Sequence, residues 1–368
     1  MNPQRINKLL DQSGLDALVV MSIENVTYLS GVWVVTQRVI PERLAFVLWP
    51  RNGEPVFILC KGEDVNISER CFIGDIRTYV EFRTTPVELL ADALTEKGLN
   101  VGKIGIERRS MSVQDYHELK QLLPDVIIED GSSVMERVRM IKEADEVDAL
   151  TEAATSTQEA IGIAFEKTNQ GATEKSVGNL ISTELTSRGA DILNFTFLGC
   201  GLRSFEWHAW PNKGILKTGD IVHTDVGGSF AGYWSDVARI AVVGQPTDKQ
   251  RELFDKLFQI HVRTIEAVKP GIRASDLYRV CENLYAEIGL PFTLAHIGHG
   301  LGLGLHERPM LNPYVEQELL PGMVLCIEPA HLEPGVAGYH LEDLVLVTDD
   351  GVRPLTDVYR WSELFVID

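Results

Sequence analysis

Four carboxylates and one histidine in the last part of the chain have the residue types of a metal site. Each lies in a short apolar segment typical of a β-strand: Asp225, Asp236, His299, Glu328 and Glu342. Burying a lone carboxylate in such a segment is costly unless a cation or hydrogen bonds compensate its charge. Oxygen-rich sites with one nitrogen suit Mn, Co, Fe or Zn. If the five residues converge, they form a candidate site for such a metal.

The segment 219–244 predicts that two of these residues face each other. The β-rich stretches IVHTDV and YWSDVARIAVV flank the glycine-rich turn GGSFAG, which favours an antiparallel pair. Asp225 ends the first predicted strand and Asp236 lies in the second, so both can point to one face. Two facing carboxylates repel each other unless a cation lies between them. On this segment alone, an alternative remains open in which both are turn or cap aspartates.

Two further segments carry the other candidates. The stretch 294–309 is rich in glycine and contains His296, His299 and His306. Its GxGxG run lacks the βαβ context of a phosphate-binding loop, so that interpretation is not favoured. In 321–348, Glu328 is the last residue of a predicted strand, and Glu342 lies inside the predicted strand YHLEDLVLV. Because strand side chains alternate, the neighbouring Asp343 is predicted to face away from Glu342.

The first part of the chain alternates helices and strands, which predicts an α/β domain. Helices are predicted at 3–13, 86–98 and 112–124, and strands at 15–21, 44–50, 55–60, 103–107 and 125–130. The pair 44–50 and 55–60 flanks the turn RNGE and is predicted to form a hairpin.

The rest of the chain has longer helices and antiparallel-looking strands, which predicts an α+β domain. Helices are predicted within 134–168 (one short and one long) and at 174–188, 248–268 and 275–288. Strands are predicted at 192–199, 221–226, 232–243, 292–297, 323–328 and 340–348. We therefore place a domain boundary near residue 132, with domains at 1–132 and 133–368.

Composition limits the classes of function. The formal net charge of −19 over 368 residues argues against nucleic acid as a partner, because phosphates attract basic surfaces. The five cysteines are odd in number and form no CxxC pair, so a disulfide framework is not indicated. There is no apolar run of about 18 residues, which predicts no membrane span. The first residues form an amphipathic pattern without the apolar region of a signal peptide, so we expect a cytoplasmic protein.

Together these motifs resemble those of the M24 metallopeptidases, in the creatinase, aminopeptidase P and prolidase branch. The family pattern has an aspartate in a GD…D-G strand, a second aspartate eleven residues later, a GHG histidine, an EP glutamate and an ED glutamate. In this sequence these positions are Asp225, Asp236, His299, Glu328 and Glu342. The segments 15–32 and 138–154 also resemble the N-terminal domain and the first catalytic helix of that branch. The resemblance implies a pita-bread catalytic domain preceded by a creatinase-type α/β domain.

The resemblance also implies an activity and roles for residues. We expect a dinuclear metal-dependent hydrolase that cleaves Xaa-Pro peptide bonds by a metal-bridged hydroxide, with two divalent ions, manganese first and Co, Zn or Fe as alternatives. Glu328 would be both ligand and general acid/base, while His208 and His306 would bind substrate and assist catalysis. The substrate would be a small peptide or another small molecule. A homodimer is implied, with residues 28–38 as candidates to reach the partner's site.

Some residues depart from the family pattern and leave alternatives open. His340 stands where arginine is usual, Ala330 follows the EP motif where glycine is usual, and His223 stands where a hydrophobic residue is common. His223 and His340 could both face the site and bind substrate, or simply pack, and Trp207 and Trp210 could wall the pocket. The alternatives to Xaa-Pro hydrolysis are a C–N hydrolase of a small molecule (ectoine hydrolase-like), a metal-dependent lyase or a binding scaffold without activity.

Overall fold

The computed structural model describes residues 1–40, 42–65, 67 and 70–368. The chain forms two compact units, Met1–Arg139 and Met140–Asp368. The sequence boundary at 132 falls at the start of a helix, Ser132–Met140, that ends where the second unit begins. The functional domain limits 1–132 and 133–368 stay a prediction.

The first unit is an α/β unit built on a mixed six-stranded sheet. Its helices are α1 (Pro3–Ser13), α2 (Ile23–Ser30), α3 (Val35–Val39), α4 (Pro86–Glu96), α5 (Val113–Leu122) and α6 (Ser132–Met140). Its strands are β1 (Ala17–Val20), β2 (Phe46–Pro50), β3 (Val56–Cys60), β4 (Asp75–Tyr79), β5 (Lys103–Ile106) and β6 (Ile127–Asp130). The strand order is β4-β3-β2-β1-β5-β6.

Local signals in the sequence define these elements. Helix α1 begins at Asn2, whose side chain accepts a hydrogen bond from the Arg5 N–H, and ends at Gly14 in the left-handed conformation. Strands β2 and β3 pair antiparallel, as the hairpin prediction requires. Every residue of β1, β2 and β3 is buried, because side chains on both faces of the sheet are covered.

The second unit contains the candidate metal ligands. Its helices are α7 (Ala144–Glu166), α8 (Glu174–Ser187), α9 (Asp248–Glu266) and α10 (Ala274–Ile288). Its strands are β7 (Ile192–Cys200), β8 (Ile221–Phe230), β9 (Tyr233–Trp234), β10 (Val237–Val243), β11 (Gly298–Gly300), β12 (Glu307–Met310), β13 (Val324–Ile327), β14 (Ala330–Glu333), β15 (Ala337–His340), β16 (Asp343–Val347), β17 (Val352–Pro354) and β18 (Phe365–Ile367). Two short 3₁₀ turns lie at Gly201–Phe205 and Val358–Trp361.

Two five-stranded sheets and a hairpin make up the β-structure of this unit. The first sheet has the order β18-β10-β8-β7, with β9 paired to β8, and the second has the order β12-β11-β13-β16-β17. Strands β14 and β15 form the hairpin, and only β18 pairs parallel to its neighbour among these described strands. Both sheets are therefore almost wholly antiparallel, as the α+β prediction expects.

The sheets of this unit are buried on both faces. Successive residues of a strand belong to different hydrophobic clusters. Ile221 of β8 and Val242 of β10 pack with α9 and α10, whereas the next residues, Val222 and Val243, pack with α7 and α8. Period-two alternation of strand side chains produces this division. A strand with two buried faces reads as a continuous apolar run, so a polar side chain within it is placed in the interior.

Three predictions about strands in this unit are wrong in detail. The predicted strand 292–297 has no regular structure, and the strand begins at Gly298. The glycine-rich stretch 227–232 is mostly strand, because β8 continues to Phe230. The predicted strand 340–348 is interrupted at Leu341 and Glu342. In the last case the flanking strands pair with different partners, which local hydrophobicity does not reveal.

A buried ion pair joins the two sheets beneath the candidate site. The Arg239 guanidinium on β10 donates to Asp343 Oδ1 on β16 at 2.5 Å and to the Glu342 carbonyl oxygen at 2.7 Å. His261 Nε2 of α9 lies 2.6 Å from Asp343 Oδ2. Burial opposes ionisation of Asp343, but the Arg239 charge and the His261 hydrogen bond outweigh it and hold the Asp343 pKa at about 2. Asp343 thus faces away from the site, as strand alternation predicts, and fixes the backbone at Glu342.

We expect Asp343→Ala to destabilise the protein by about 3–5 kcal/mol, because Arg239 would remain as a buried charge without its carboxylate partner. The free energy of unfolding in urea measures this change. Glu287→Ala serves as the control, since Glu287 pairs with Arg263 on the surface and such exposed pairs contribute about 1 kcal/mol or less. Equal losses in the two variants would contradict a structural role for the buried pair.

Candidate metal centre

The five predicted ligands line one cavity of about 700 Å³ in the second unit: Asp225, Asp236, His299, Glu328 and Glu342. His208, His306 and His340 line the same cavity. The remaining wall is aromatic and aliphatic and includes Phe195, Phe197, Trp207, Trp210, Leu305 and Leu332. Trp207 and Trp210 therefore wall the pocket. The cavity combines an acidic floor with an apolar wall.

Asp225 and Asp236 come from two adjacent strands of the first sheet. Asp225 lies in the middle of β8, between Phe197 of β7 and Ala238 of β10, rather than at a strand end as predicted. Asp236 lies in the break between β9 and β10. The preceding Ser235 fixes this break, because its hydroxyl exchanges hydrogen bonds with the Gly228 backbone and lies 2.6 Å from the Thr157 hydroxyl. Both carboxylates are consequently held in place by the backbone.

His299 comes from the second sheet, on the short strand β11. It is opposite Cys326 of β13, and Gly298 and Gly300 precede and follow it. A Cβ at Gly298, where φ is +147°, would lie 1.9 Å from the Cys326 carbonyl oxygen, and one at Gly300 would lie 2.3 Å from that of Arg308. Only glycine permits such close backbone approach. The glycines of the GHG motif thus bring the imidazole into the interior between neighbouring strands.

The hydrogen bonding of His299 suits a metal ligand. Its Nδ1 lies 2.9 Å from the Gly300 carbonyl oxygen, so Nδ1 carries the proton and donates. The neutral ring then presents the bare Nε2, which lies 3.6 Å from Asp236 Oδ2 and 3.5 Å from Glu328 Oε1. A carbonyl that fixes the tautomer in this way is the usual support of a ligating histidine.

The two glutamates lie just beyond strand ends. Glu328 follows β13, and its N–H donates to the Ile297 carbonyl at 3.0 Å. Glu342 lies in the gap between β15 and β16, and its N–H donates to the Ala238 carbonyl of β10 at 3.3 Å. Leaving the strand ladder lets each carboxylate turn toward the cavity while its backbone stays anchored.

The carboxylates crowd into a region of low dielectric, which shifts their ionisation. Burial, with added repulsion from Glu328, raises the pKa of Asp225 to about 8. Burial and the charges of neighbouring carboxylates also raise the pKa of Asp236 and Glu342 well above their usual range. For Glu328, burial is outweighed by the interactions with the neighbouring His296 and His299, so its pKa is lowered. Glu328 is therefore the carboxylate that stays ionised most readily.

The donor set fits divalent cations. Three buried carboxylate oxygens have no hydrogen-bond partner among the described residues: Asp225 Oδ1, Glu328 Oε1 and Glu342 Oε2. The ligand atoms of Asp236, His299, Cys326 and Glu342 all lie within 4.8 Å of one another, as do those of Glu328, His340 and Glu342. Buried oxygens that repel one another and lack hydrogen bonds are stabilised when a cation binds between them and compensates their charge.

Two site histidines lie on loops that are held in position by ion pairs to buried carboxylates. The fully buried Glu174 accepts hydrogen bonds from the Cys200 and Asn212 N–H groups and pairs with Arg203, which fixes the loop that carries His208. The His208 ring lies against Phe197, with centroids 4.9 Å apart.

A second ion pair fixes the loop of His306. Lys142 Nζ lies 3.0 Å from Glu307 Oε2, and Glu307 Oε1 accepts from the Gly304 N–H. The His306 ring stacks on His299 with centroids 3.8 Å apart. Both loops thus present an imidazole over the carboxylates.

The two unusual histidines occupy different positions. His340 lines the cavity, and its Nε2 lies 3.8 Å from Glu328 Oε2. His223 lies behind it, hydrogen-bonded through Nε2 to His340 Nδ1 at 3.2 Å, and is not among the residues described as lining the cavity. The expectation that His223 binds substrate directly therefore has no geometric support, because the His340 ring lies between His223 and the cavity.

Two further residues belong to the site, although the sequence motifs gave neither of them a role. The Cys326 thiol donates to Glu342 Oε1 at 2.8 Å. His296 lies with Nδ1 3.4 Å from Glu328 Oε1. Both could have been found by spacing: Cys326 is two residues before Glu328, and His296 is three residues before His299.

Comparison with known proteins agrees with this architecture. Residues 3–141 match the creatinase/prolidase N-terminal domain, and residues 148–349, more than half of the chain, match metallopeptidase family M24. The Xaa-Pro dipeptidase of Lactobacillus helveticus is 29% identical over 361 residues, which cover 97% of this chain and 96% of that protein. The Xaa-Pro dipeptidase of Pyrococcus horikoshii is 28% identical over 363 residues, covering 97% of each chain.

Solved structures give the same result. The Xaa-Pro dipeptidase from Bacillus anthracis superposes with a TM-score of 0.89 at 25% identity, covering 99% of this chain and 98% of that one. Dipeptidase PepE from Mycobacterium ulcerans superposes with a TM-score of 0.86 at 28% identity, covering 99% and 96%. These matches confirm the two-domain, pita-bread prediction. With a creatinase/prolidase N-terminal domain ahead of its catalytic domain, the chain belongs to metallopeptidase family M24 and is a metal-dependent hydrolase.

Proposed function

We propose that the protein is a dinuclear metal-dependent hydrolase that cleaves Xaa-Pro peptide bonds, of the prolidase or aminopeptidase P type. The observation that carries the proposal is the convergence of four carboxylates and His299 on one cavity, where three buried carboxylate oxygens lack hydrogen-bond partners among the described residues. The relatives named Xaa-Pro dipeptidase support the choice of substrate.

Asp225, Asp236, His299, Glu328 and Glu342 would hold two divalent cations. Mostly oxygen ligands with a single imidazole favour Mn²⁺, and Co²⁺, Zn²⁺ and Fe²⁺ remain compatible. When bound, such ions supply Lewis-acid activation of a water molecule and of the scissile carbonyl. The homodimer and the cytoplasmic location implied at the outset stay predictions. Among the described helices, none has the length and apolarity of a membrane span.

Glu328 is the general acid/base of this proposal. Its lowered pKa keeps it ionised near neutral pH, so it can accept a proton from the attacking water. It can then deliver that proton to the leaving nitrogen. His296 is positioned to support the ionised form, because its Nδ1 lies 3.4 Å from Glu328 Oε1.

The loops over the cavity would bind the peptide. His208 and His306 line the cavity from two different loops, and their ring nitrogens can hydrogen-bond the scissile carbonyl or the leaving amine. Phe195, Phe197 and Trp210 offer an apolar surface for a proline ring. Orientation by these side chains would place the scissile bond beside Glu328.

We expect the protein loaded with Mn²⁺ or Co²⁺ to release amino acids from Xaa-Pro dipeptides or Xaa-Pro-Yaa tripeptides. Asp236→Asn and Glu342→Gln each remove a charged ligand and should reduce kcat/KM by at least about 100-fold. Metal analysis of the dialysed proteins, with Asp350→Asn as a control on an exposed carboxylate, should show metal loss in the two site variants only.

Metal-loaded protein that cleaves no Xaa-Pro substrate would exclude this function. Turnover of a small cyclic or guanidino compound by the same sample would instead identify a C–N hydrolase of small molecules. Wild-type metal content and activity in Asp236→Asn would show that the ligands lie elsewhere.

The metal-free protein should lose stability as the pH rises. Burial raises the pKa of the Asp225 carboxyl to about 8 in the folded protein, from an ordinary value of 3.8, so the folded state binds more protons than the unfolded state between these two pH values. The free energy of unfolding should therefore fall across this range by about 1.4 kcal/mol per pH unit for each such proton.

Urea unfolding in EDTA at pH 5 and pH 8 measures this fall. Mn²⁺ should cancel it, because a cation competes with protons for the same oxygens and binds more tightly at the higher pH. Asp225→Asn should reduce the fall in EDTA. Equal stability of the metal-free protein at both pH values would contradict the electrostatic account of the site.

A further inference from the structure

A chain of hydrogen bonds runs from the backbone of the 3₁₀ turn Gly201–Phe205 to His340, which lines the cavity. The Ser204 carbonyl oxygen accepts from His223 Nδ1 at 3.0 Å, and His223 Nε2 lies 3.2 Å from His340 Nδ1. Ser204 itself is fixed by the hairpin β14–β15, because its hydroxyl accepts from the Gly338 N–H at 3.0 Å. A Cβ at Gly338 would lie 2.2 Å from the Ser204 carbonyl oxygen, so the close approach depends on glycine.

When both rings are neutral, the chain of hydrogen bonds determines which nitrogens carry protons. A carbonyl oxygen can only accept, so His223 Nδ1 must be protonated. In a neutral His223 ring, Nε2 is then the acceptor, and His340 Nδ1 must be the donor. In a neutral His340 ring, Nε2 is left with a lone pair and no proton.

The His340 ring directs that lone pair into the cavity. The side chain is buried, with 1% of the residue exposed, and Nε2 has no hydrogen-bond partner within the described part of the chain. The ring contacts His223 and Trp207, with ring centroids 5.3 Å and 5.4 Å away. Beside it, at 3.8 Å from Nε2, lies Glu328 Oε2, which is also an acceptor. A substrate group that binds here, apart from the cations, meets two acceptors and must bring a donor.

We propose that His340 is a specificity residue that accepts a hydrogen bond from the first N–H beyond the leaving proline, and that His223 is a positioning residue that keeps it an acceptor. This inference rests on the proposed function, in which Glu328 protonates the leaving nitrogen. The carbonyl carbon of the leaving proline is two bonds from that nitrogen. Because His340 Nε2 lies 3.8 Å from Glu328 Oε2, the N–H or oxygen attached to this carbonyl carbon is within reach of His340. Peptides that continue beyond proline, or end in a carboxamide, supply the N–H.

The same geometry disfavours free dipeptides. A dipeptide ends in a carboxylate, which has no proton to donate and would place its charge against the His340 lone pair and the Glu328 carboxylate. Unpaired acceptors at such a buried position cost enough to change affinity by about tenfold or more. The enzyme should therefore prefer Xaa-Pro-Yaa and Xaa-Pro-amide substrates to Xaa-Pro acids.

The tautomers can be tested without measuring activity. In protein labelled with ¹⁵N-histidine and loaded with diamagnetic Zn²⁺, His223 and His340 should both show neutral rings protonated at Nδ1. The spectra of His223→Leu and His340→Arg assign the two rings. A His340 ring protonated at Nε2, alone or with Nδ1, would overturn the proposal.

Ligand preference provides the second test. Calorimetry on the metal-loaded protein should show that L-prolinamide binds at least about tenfold more tightly than L-proline, with a matching difference in KM between Xaa-Pro-amide and Xaa-Pro acid substrates. His340→Arg, which supplies a fixed donor, should reverse the preference. His223→Leu should reduce it, mainly through KM, although His223 is not among the described lining residues.

His331→Leu is the matched control, because His331 is a buried histidine of the same hairpin and is not among the residues described as lining the cavity. This variant should keep the wild-type preference for L-prolinamide over L-proline. Tighter binding of proline than prolinamide, or an unchanged preference in His340→Arg, would overturn the proposal even if Xaa-Pro peptides are cleaved. Failure to cleave any Xaa-Pro peptide would refute the proposed function, while the spectra and the two binding constants would still decide the role of His340.

Discussion

The second unit is organised around the cost of placing four carboxylates in one apolar interior. Asp225, Asp236, Glu328 and Glu342 are held by backbone hydrogen bonds and strand pairing rather than by partners for their charges. Burial and mutual repulsion oppose ionisation of three of them. The rest of the fold must therefore keep them together until a cation compensates, which makes metal binding and stability parts of the same balance.

Breaks in the strands, rather than the strands themselves, aim most of the ligands. Asp236, Glu328 and Glu342 lie beside strand ends, whereas Asp225 and His299 lie within strands. The Arg239–Asp343–His261 cluster lies on the opposite side of the Glu342 backbone and fixes it from behind. The paired carboxylate of Asp343 on one side of this backbone thus supports the Glu342 carboxylate, which has no charged partner among the described residues, on the other side.

Around this centre, ordinary charge pairs position the groups that would meet substrate. Glu174 holds the loop of His208, and Lys142 with Glu307 holds the loop of His306. The His223–His340 pair differs, because it fixes a proton position rather than a backbone. It lies at positions where the sequence departs from the common family pattern. Specificity and metal binding are therefore carried by neighbouring but separate sets of contacts.

The sequence by itself determined the two-domain class, most helices and the five candidate ligands, because amphipathic periods, caps and polar residues in apolar runs are local properties. It could not predict that the strand expected at 340–348 is interrupted at Glu342 or that residues 292–297 form no strand. It also could not separate His223 from His340, although both were singled out. These features depend on which strand lies opposite, and only tertiary packing decides that.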